Sequence, residues 1–406
     1  MDFDDTATQA AFRAEVREFL TAHASPISKR PSLNAMSHDA HSEAETLHVK
    51  KSQAWQAMLF DNGWAGITWP TAYGGRGQTS VEQMIFNQEL AGFDVPGSVF
   101  AQGIGMAGPT LIAHGSDVQK QRFLGPMLRG DELWCQLFSE PGAGSDLAAL
   151  STRAIRDGDE YLVNGQKVWT SSAHYSDWGI LLARTDPDVP KHAGITYFLI
   201  DMKTPGIDIR PLRQITGTAH FNEVFLTDVR IPAENIVGTE NRGWGVTMTT
   251  LTSERTLIGG GAPDPMQGLL RLADLFGDRQ EPVTRQALVD AFIRHRLIKF
   301  LSWRVQSAVS RAESPGPESS VLKLAHTAAL ERVSDLALTL AGPSGMLTKS
   351  DEPEVAAWAM GFLSQFASRI GGGTDEVQRN IVAERALGLP GDVRVDKNIP
   401  FRDLPK

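Results

Sequence analysis

The sequence predicts an α+β protein built from three consecutive parts. These are an N-terminal helical domain (residues 1–130), a central antiparallel β domain (131–238) and a C-terminal four-helix bundle (239–393), followed by a tail (394–406). Three observations predict this order. Apolar residues recur at helical spacing in the first and last thirds of the chain. The middle third carries short alternating runs punctuated by Asp157-Gly158 and Asn164-Gly165, with no helix-length pattern between them. The length, 406 residues, exceeds what one compact core holds and suits two or three packed domains.

In the first part, Phe12, Val16, Phe19 and Leu20 mark a helix. Glu43 to Asn62 predicts a second, with Trp55, Met58 and Leu59 on one face and Gly63 as its stop. Tyr73 to Gly77 reads as a loop, and Val81 to Ala91 and Asp117 to Leu128 as further helices, Asp117 serving as an N-cap. In the middle part, Thr152–Arg156 and Tyr161–Val163 flank one hairpin turn, and Asn164-Gly165 predicts another before Gln166–Thr170. Trp178–Arg184, Gly194–Met202 and Glu223–Leu226 are strand-like. In the last part, Ile293, Leu297, Phe300 and Leu301 mark one helix and Leu322, Ala325, Ala329 and Val333 another, with Ser314–Pro317 as the break between. Trp358, Phe362 and Phe366 mark a third and Glu376 to Ala386 a fourth, which suggests a bundle. The segment after Gly391 reads as irregular.

Composition excludes several functions. With 39 Lys and Arg against 48 Asp and Glu, the net charge of −9 argues against general nucleic-acid binding, which needs clustered cations. The one cysteine, Cys135, forms no intrachain disulfide and reads as a buried, inert thiol. No apolar run approaches the ~20 residues of a membrane span. The acidic amphipathic N-terminus resembles neither a signal nor a transit peptide, so a cytoplasmic location is expected. His38, His41 and His48 lie in a polar stretch without Cys partners, and no metal site is expected. Gly103 to Gly108 fits G-x-G-x-x-G, but no strand precedes it and Pro109 follows. Close helix approach explains those glycines better than a dinucleotide site.

Two stretches carry more chemistry. Gln136-Leu137-Phe138-Ser139-Glu140-Pro141-Gly142-Ala143-Gly144-Ser145-Asp146 reads as a loop of close backbone approach, able to bind a polar ring edge or a phosphate. Asn164 to Ser172 places an aromatic, Trp169, before hydroxyl residues at a strand end. Taken alone, Trp169 reads as β-domain core.

Together with Gly371-Gly372-Gly373-Thr374-Asp375-Glu376-Val377-Gln378-Arg379, these stretches resemble the acyl-CoA dehydrogenases in order, spacing and helix–β–helix layout over nearly the whole chain. Trp134–Glu140 and Glu384–Pro390 resemble the bacterial, especially actinobacterial, branch. The resemblance implies an acyl-CoA dehydrogenase-like fold and FAD as cofactor. It implies that Gln136, Phe138, Ser139 and Gly144 meet the cofactor, Phe138 and Ser139 on the pyrimidine side of the flavin ring. Trp169 and Ser171 would flank the ring and its N5 edge, Ser145 would lie near cofactor phosphates and substrate, and Thr374 and Glu376 near the FAD phosphates.

The α-proton base needs a carboxylate. Many family members supply it two residues before the Thr of the C-terminal motif, where this chain has Gly372. Members resembling isovaleryl-CoA and long-chain dehydrogenases place it on an earlier helix just before an arginine, and Leu251-Thr252-Ser253-Glu254-Arg255 stands at that place. The resemblance therefore implies Glu254 as the base, though by itself it reads as a helix-surface glutamate. It implies the Gly372 N–H as a donor to the thioester carbonyl, and Arg255 and Gly373 as substrate-side residues. Glu254 would take the α proton while the β hydride passes to flavin N5, giving a trans-2-enoyl-CoA.

The implied partners are an acyl-CoA substrate and an electron-transfer flavoprotein, with assembly as a homodimer, a homotetramer or a heterotetramer with a related chain. The bundle stretch Thr339–Gly345 departs from the family's Q-x-x-G-G-x-G, with Thr for the glutamine and Pro343 for the second glycine. Two alternatives stay open: a flavin oxidase or monooxygenase of the same fold, and a partner subunit of a heteromeric dehydrogenase.

Overall fold

The structure, a computed structural model, describes residues 5–27, 41–259, 265–276, 280–310, 318–348, 353–393 and 396–404. The first part of the chain holds helices α1 (Ala7–His23), α2 (Glu43–Asp61), α3 (Ser80–Leu90), α4 (Gly108–His114) and α5 (Asp117–Arg129), with two-residue strands β1 (Ser25–Pro26) and β2 (Phe93–Asp94). The middle holds β3 (Trp134–Leu137), β4 (Arg153–Asp157), β5 (Glu160–Ser171), β6 (Trp178–Arg184), β7 (Ile195–Asp201), β8 (Ile207–Leu212) and β9 (Phe221–Pro232). The last part holds α6 (Gly243–Gly259), α7 (Met266–Phe276), α8 (Pro282–Ser310), α9 (Glu318–Ala341), α10 (Pro353–Ile370) and α11 (Asp375–Ile381).

These elements form two compact units that each gather separate stretches of chain. One comprises residues 1–37, 78–97 and 255–391; the other comprises 38–77, 98–254 and 392–406. In the first, Leu269, Leu272, Leu288, Val333, Leu340, Val355 and Trp358 make one core shared by α7, α8, α9 and α10. Helix α1 lies on α3, where Glu89 accepts from both Arg13 (3.0 Å) and Arg17 (2.9 Å). Helix α7 is absent from the sequence-based expectation, and Glu376 to Ala386 is not one regular helix. It is the short α11 followed by a π-turn over Val382–Ala386. The predicted break at Ser314–Pro317 lies outside the described residues. Ile293, Leu297, Phe300 and Leu301 do lie on one helix, α8, but the first three are 49%, 60% and 50% exposed. Among the described residues of α8, the buried ones are Leu288 and Ala291.

In the second unit the strands form one seven-stranded sheet in the order β3-β6-β4-β5-β9-β8, with β7 also pairing β6. It is antiparallel except for the parallel β3–β6 pair and a single parallel β4–β6 pair. The expectation of a purely antiparallel sheet gives way at β3, a strand that sequence patterning missed because all four residues are inward-facing or half-buried and do not alternate clearly. Asp157-Gly158 does open a hairpin between β4 and β5. Asn164-Gly165 does not, because β5 runs through it. There the β9 partner gains an extra residue, Asp228, at φ 51°. The Asn164 side chain and Asp228 exchange two hydrogen bonds of 3.0 Å across this bulge.

Helix α5 is capped by Ser116, not Asp117: the Ser116 hydroxyl accepts from the Gln119 N–H, and the Gln119 side chain returns the bond. Gln119 Nε2 also donates to the carbonyls of Glu234 and Ile236 at 2.8 Å, fastening α5 to the segment after β9. On α2 the buried face is Ser52, Gln56 and Leu59, so Trp55 and Met58 sit at its margin. Gly108 lies flush against the Trp69 indole, where any side chain would collide, which accounts for the glycine-rich stretch there. The tail is ordered over 396–404: Pro400 bridges to Pro190, and the Arg184 guanidinium stacks 3.5 Å over the Phe401 ring.

Candidate functional site

Strand β3 delivers the first predicted stretch. Gln136 is half-buried in it, and Phe138 follows, buried, its ring edge-on to Tyr197 at 5.9 Å and 82°. Ser139 is half-buried, and its carbonyl accepts from the Val168 N–H at 2.9 Å, so the end of β3 is tied to β5. Glu140 and Ala143 then close a tight turn by two backbone bonds of 3.0 Å, which pushes Gly144, Ser145 and Asp146 into solvent.

A buried ion pair holds this loop. The Lys167 ammonium, with a side chain 0% exposed, donates to Glu140 Oε1 (2.8 Å) and to the Phe138 carbonyl (3.0 Å). Glu140 also accepts from the Ser151 N–H (2.7 Å), the Ser151 hydroxyl (2.9 Å) and the Thr152 N–H (2.9 Å). Burial works to raise the Glu140 carboxyl, but the Lys167 charge and these donors outweigh it and hold the group at about 2. Burial draws the Lys167 ammonium below its ordinary value, with Glu140 opposing. Cys135, next to Gln136, is fully buried, and burial pushes its thiol up to about 12, which leaves it inert.

Strand β5 delivers the second stretch. Between Lys167 and Thr170 its pairing with β9 slips by one residue. At that bulge Trp169 takes φ 60°, a left-handed conformation costly for a bulky side chain. The indole leaves the sheet and stands 60% exposed, edge-on to Phe221 at 5.9 Å. The core position that Trp169 alone suggested belongs to its neighbours Val168 and Thr170. Ser171 is half-buried, and Ser172 again has positive φ, 63°. Ser172 is fixed by the Tyr175 hydroxyl (2.5 Å) and by the His220 carbonyl, which accepts its N–H at 2.9 Å. His174 behind it bonds both oxygens of Glu45 at 3.0 Å.

Glu254 is half-buried on α6, one turn beyond Thr250. The Arg255 side chain lies outside the described residues.

The third stretch belongs to the helical unit. Gly372 (φ 65°) and Gly373 (φ 85°) turn the chain between α10 and α11, a conformation open to glycine. Gln378 Nε2 donates to the Gly372 carbonyl at 3.0 Å. Thr374 caps α11, its hydroxyl accepting from the Val377 N–H at 3.2 Å. Glu376 is exposed and pairs with Arg379 at 3.1 Å. Asp375 beside it is buried and accepts from Lys323 Nζ (2.8 Å), Thr327 Oγ1 (3.1 Å) and Arg369 Nε (2.9 Å).

Known proteins share this arrangement. Family models of the acyl-CoA dehydrogenase N-terminal, middle and C-terminal domains match residues 6–131, 135–229 and 241–387. The chain belongs to the acyl-CoA dehydrogenase family. Its members are flavoprotein oxidoreductases acting on CH–CH bonds. Among its relatives, the acyl-CoA dehydrogenase IpdE1 of Mycobacterium tuberculosis is 40% identical over 85% of this chain and 90% of its own. Acyl-CoA dehydrogenase FadE34 of the same organism is 42% identical over 82% of this chain, which spans only 46% of that longer protein. The solved structure of the Tcur3481-Tcur3483 steroid ACAD superposes with a TM-score of 0.80 at 28% identity, covering 97% of this chain and 100% of that one. The ChsE4-ChsE5 complex from Mycobacterium tuberculosis gives 0.78 at 30% identity, covering 97% and 100%.

Trp169 presents an exposed indole from a strained position at the end of β5, and Gly144 and Ser145 are exposed in the loop after β3. Lys167, Glu140, Asp375 and Gln378 stand inside the sequence motifs, yet local pattern gives them no role. A lysine at an inward position of a buried strand, with one glutamate in the preceding loop, was the available signal. Asp375→Asn keeps the shape of the acceptor but removes its charge, leaving Lys323 and Arg369 without a carboxylate at this point. A loss of about 1–3 kcal/mol is expected, read as a lower chemical-denaturation midpoint.

At the bundle stretch Thr339–Gly345, α9 ends at Ala341 and Gly342 turns at φ 55°. Met346 just beyond is 80% exposed. No described helix is long and apolar enough to cross a membrane, and no cluster of metal-ligating side chains occurs among the described residues.

Proposed function

We propose that this protein is an FAD-dependent acyl-CoA dehydrogenase that converts an acyl-CoA thioester to its trans-2-enoyl-CoA, with Glu254 as the α-proton base. The observation that carries the reading is the pairing of two sequence facts: Gly372 stands where many relatives carry the basic carboxylate, and Glu254 stands before Arg255 on α6. A chemistry that removes an acidic α proton needs one carboxylate, and Glu254 supplies it.

When bound, FAD would supply the acceptor for the β hydride at its N5 atom. Phe138, Ser139, Trp169 and Ser171 would hold its ring, with Gln136, Gly144 and Ser145 along the same loop, and Thr374 and Glu376 would lie by its phosphates. The Gly372 N–H would donate to the thioester carbonyl oxygen as negative charge builds there. Fixing the Gly372 carbonyl on Gln378 holds the peptides of this turn in one orientation. Glu254 takes the α proton onto a carboxylate oxygen. Arg255 and Gly373 complete the substrate side.

The electron acceptor in this reading is an electron-transfer flavoprotein. Assembly with a second copy or a related chain is proposed on the exposed apolar stripe of α8, since a large exposed apolar patch marks an interaction surface. One structural neighbour is a steroid ACAD and another is a complex of two named chains, so a bulky, branched acyl group belongs in the substrate panel.

The purified protein should carry FAD and should bleach anaerobically when mixed with a matching acyl-CoA. A panel from short straight chains to steroid side-chain thioesters tests this. A flavin-loaded protein that no thioester bleaches would overturn the reading.

A further inference from the structure

Glu254 is half-buried on helix α6. Thr250 and Glu254 are four residues apart and so share one face of the helix. Thr250 is fully buried, as is Tyr197 of β7, and their hydroxyls meet at 3.1 Å. On its other side the Thr250 hydroxyl lies 2.8 Å from that of Thr110, and Thr110 donates to the Met106 carbonyl at 2.8 Å.

Counting protons orients this chain. Each hydroxyl has one proton to give. Thr110 spends its own on Met106, so it accepts from Thr250. Thr250 then has none left for Tyr197 and accepts from the phenol. A side contact from Thr250 to the Val246 carbonyl is long, 3.4 Å, and does not compete. Protons therefore run Tyr197 → Thr250 → Thr110 → Met106 carbonyl, with every hydroxyl satisfied. Complete burial pushes the Tyr197 phenol up, so it remains a donor throughout the neutral range.

The same tyrosine reaches the other half of the chemistry. Its ring meets the edge of Phe138, whose carbonyl is held by Lys167. Its backbone is the floor on which α6 starts: a side chain at Gly243 would stand 2.6 Å from the Tyr197 amide nitrogen. The start of α6 is therefore fixed by close packing, and two hydroxyl contacts tie its next turns to neighbouring elements. One is Thr250 to Tyr197; the other is Thr249 to His114 Nε2, at 2.8 Å on the neighbouring face.

We propose that Tyr197 is a positioning residue for the dehydrogenation, its hydroxyl setting the rotation of α6, and so the place of Glu254, through Thr250 against the strand end that carries Phe138. This rests on the reading of Glu254 as the base. The stretch from Gly103 to Gly108 then has a use unrelated to nucleotides: it supplies the carbonyl that ends the chain of hydroxyls.

The experiment uses the full-length, flavin-loaded protein. Thr250→Val keeps shape and removes the hydroxyl; Tyr197→Phe removes the phenol from the opposite side and covers the case in which the valine variant fails to fold. Because misplacement of a base by a fraction of an ångström is costly, kcat should fall roughly ten- to hundredfold in either variant. KM, flavin content and the flavin absorbance should stay near wild type, the α-deuterium isotope effect on bleaching should rise, and Thr250→Ser should recover most of the loss. Wild-type kcat and isotope effect in Thr250→Val and Tyr197→Phe, with Glu254→Gln inactive, would sink this inference alone. Normal turnover by Glu254→Gln would sink the base assignment and this inference with it.

Discussion

Glu254→Gln should retain yellow, FAD-loaded protein and lose bleaching by acyl-CoA, with the rate of flavin reduction falling by roughly 10²–10⁴ or more. The amide has the size of the carboxylate and keeps a polar contact for the helix, but it accepts no proton at neutral pH. The change removes an interaction made only as the α proton leaves, so kcat and kcat/KM should fall together while thioester binding persists. Rapid-mixing absorbance of the flavin, with and without α-deuterated substrate, checks this. An unchanged reduction rate would move the base elsewhere. Gly372 cannot be that place, because glycine has no side chain, so the search would pass to other carboxylates near the thioester.

Lys167→Met should cost about 3–5 kcal/mol of stability, the usual result of stripping one partner from a buried ion pair. The variant keeps the apolar stem but leaves Glu140 as a buried carboxylate served only by Ser151 and Thr152. It also frees the Phe138 carbonyl, so the β3 end should loosen and flavin content should drop along with the denaturation midpoint. Pairing the change with Glu140→Gln should recover part of the loss, since the uncompensated charge then disappears.

The pH dependence has a definite sign. The Glu140 carboxyl sits at about 2 in the folded chain against an ordinary 4.5. Its pKa is depressed, so its contribution is present above about 4.5 and is lost as pH falls from there toward 2. The full difference corresponds to about 3 kcal/mol. Wild type should therefore lose stability steeply across that acid window. Lys167→Met, in which the depression is relieved, should show a shallower slope, as read by urea midpoints at stepped pH. Equal slopes in the two proteins would show that the pair does not govern acid stability.

Much of this protein was legible from local pattern. Helices α1, α5 and α9 follow from apolar spacing, since an amphipathic stripe is recorded in a few consecutive turns. The Asp157-Gly158 hairpin was visible because two residues suffice to specify it. The motifs around Phe138, Trp169 and Gly372 named the family because each occupies a short contiguous stretch. Two of the errors share one cause. Asn164-Gly165 looks like a turn until its partner Asp228, 64 residues away, is placed opposite it. Trp169 looks like core until a bulge against β9 turns it outward.

What the sequence by itself determined was the family, through short contiguous motifs, and the residue types the proposed chemistry draws on: glycine at Gly372 and a carboxylate at Glu254. What only the tertiary structure decided was how that chemistry is held. Lys167 reaches Glu140 across 27 residues and Lys323 reaches Asp375 across 52, while Tyr197 joins Phe138 to Thr250. A buried charge or hydroxyl is costly without a partner, and the partner's identity depends on three-dimensional proximity, which no local periodicity encodes.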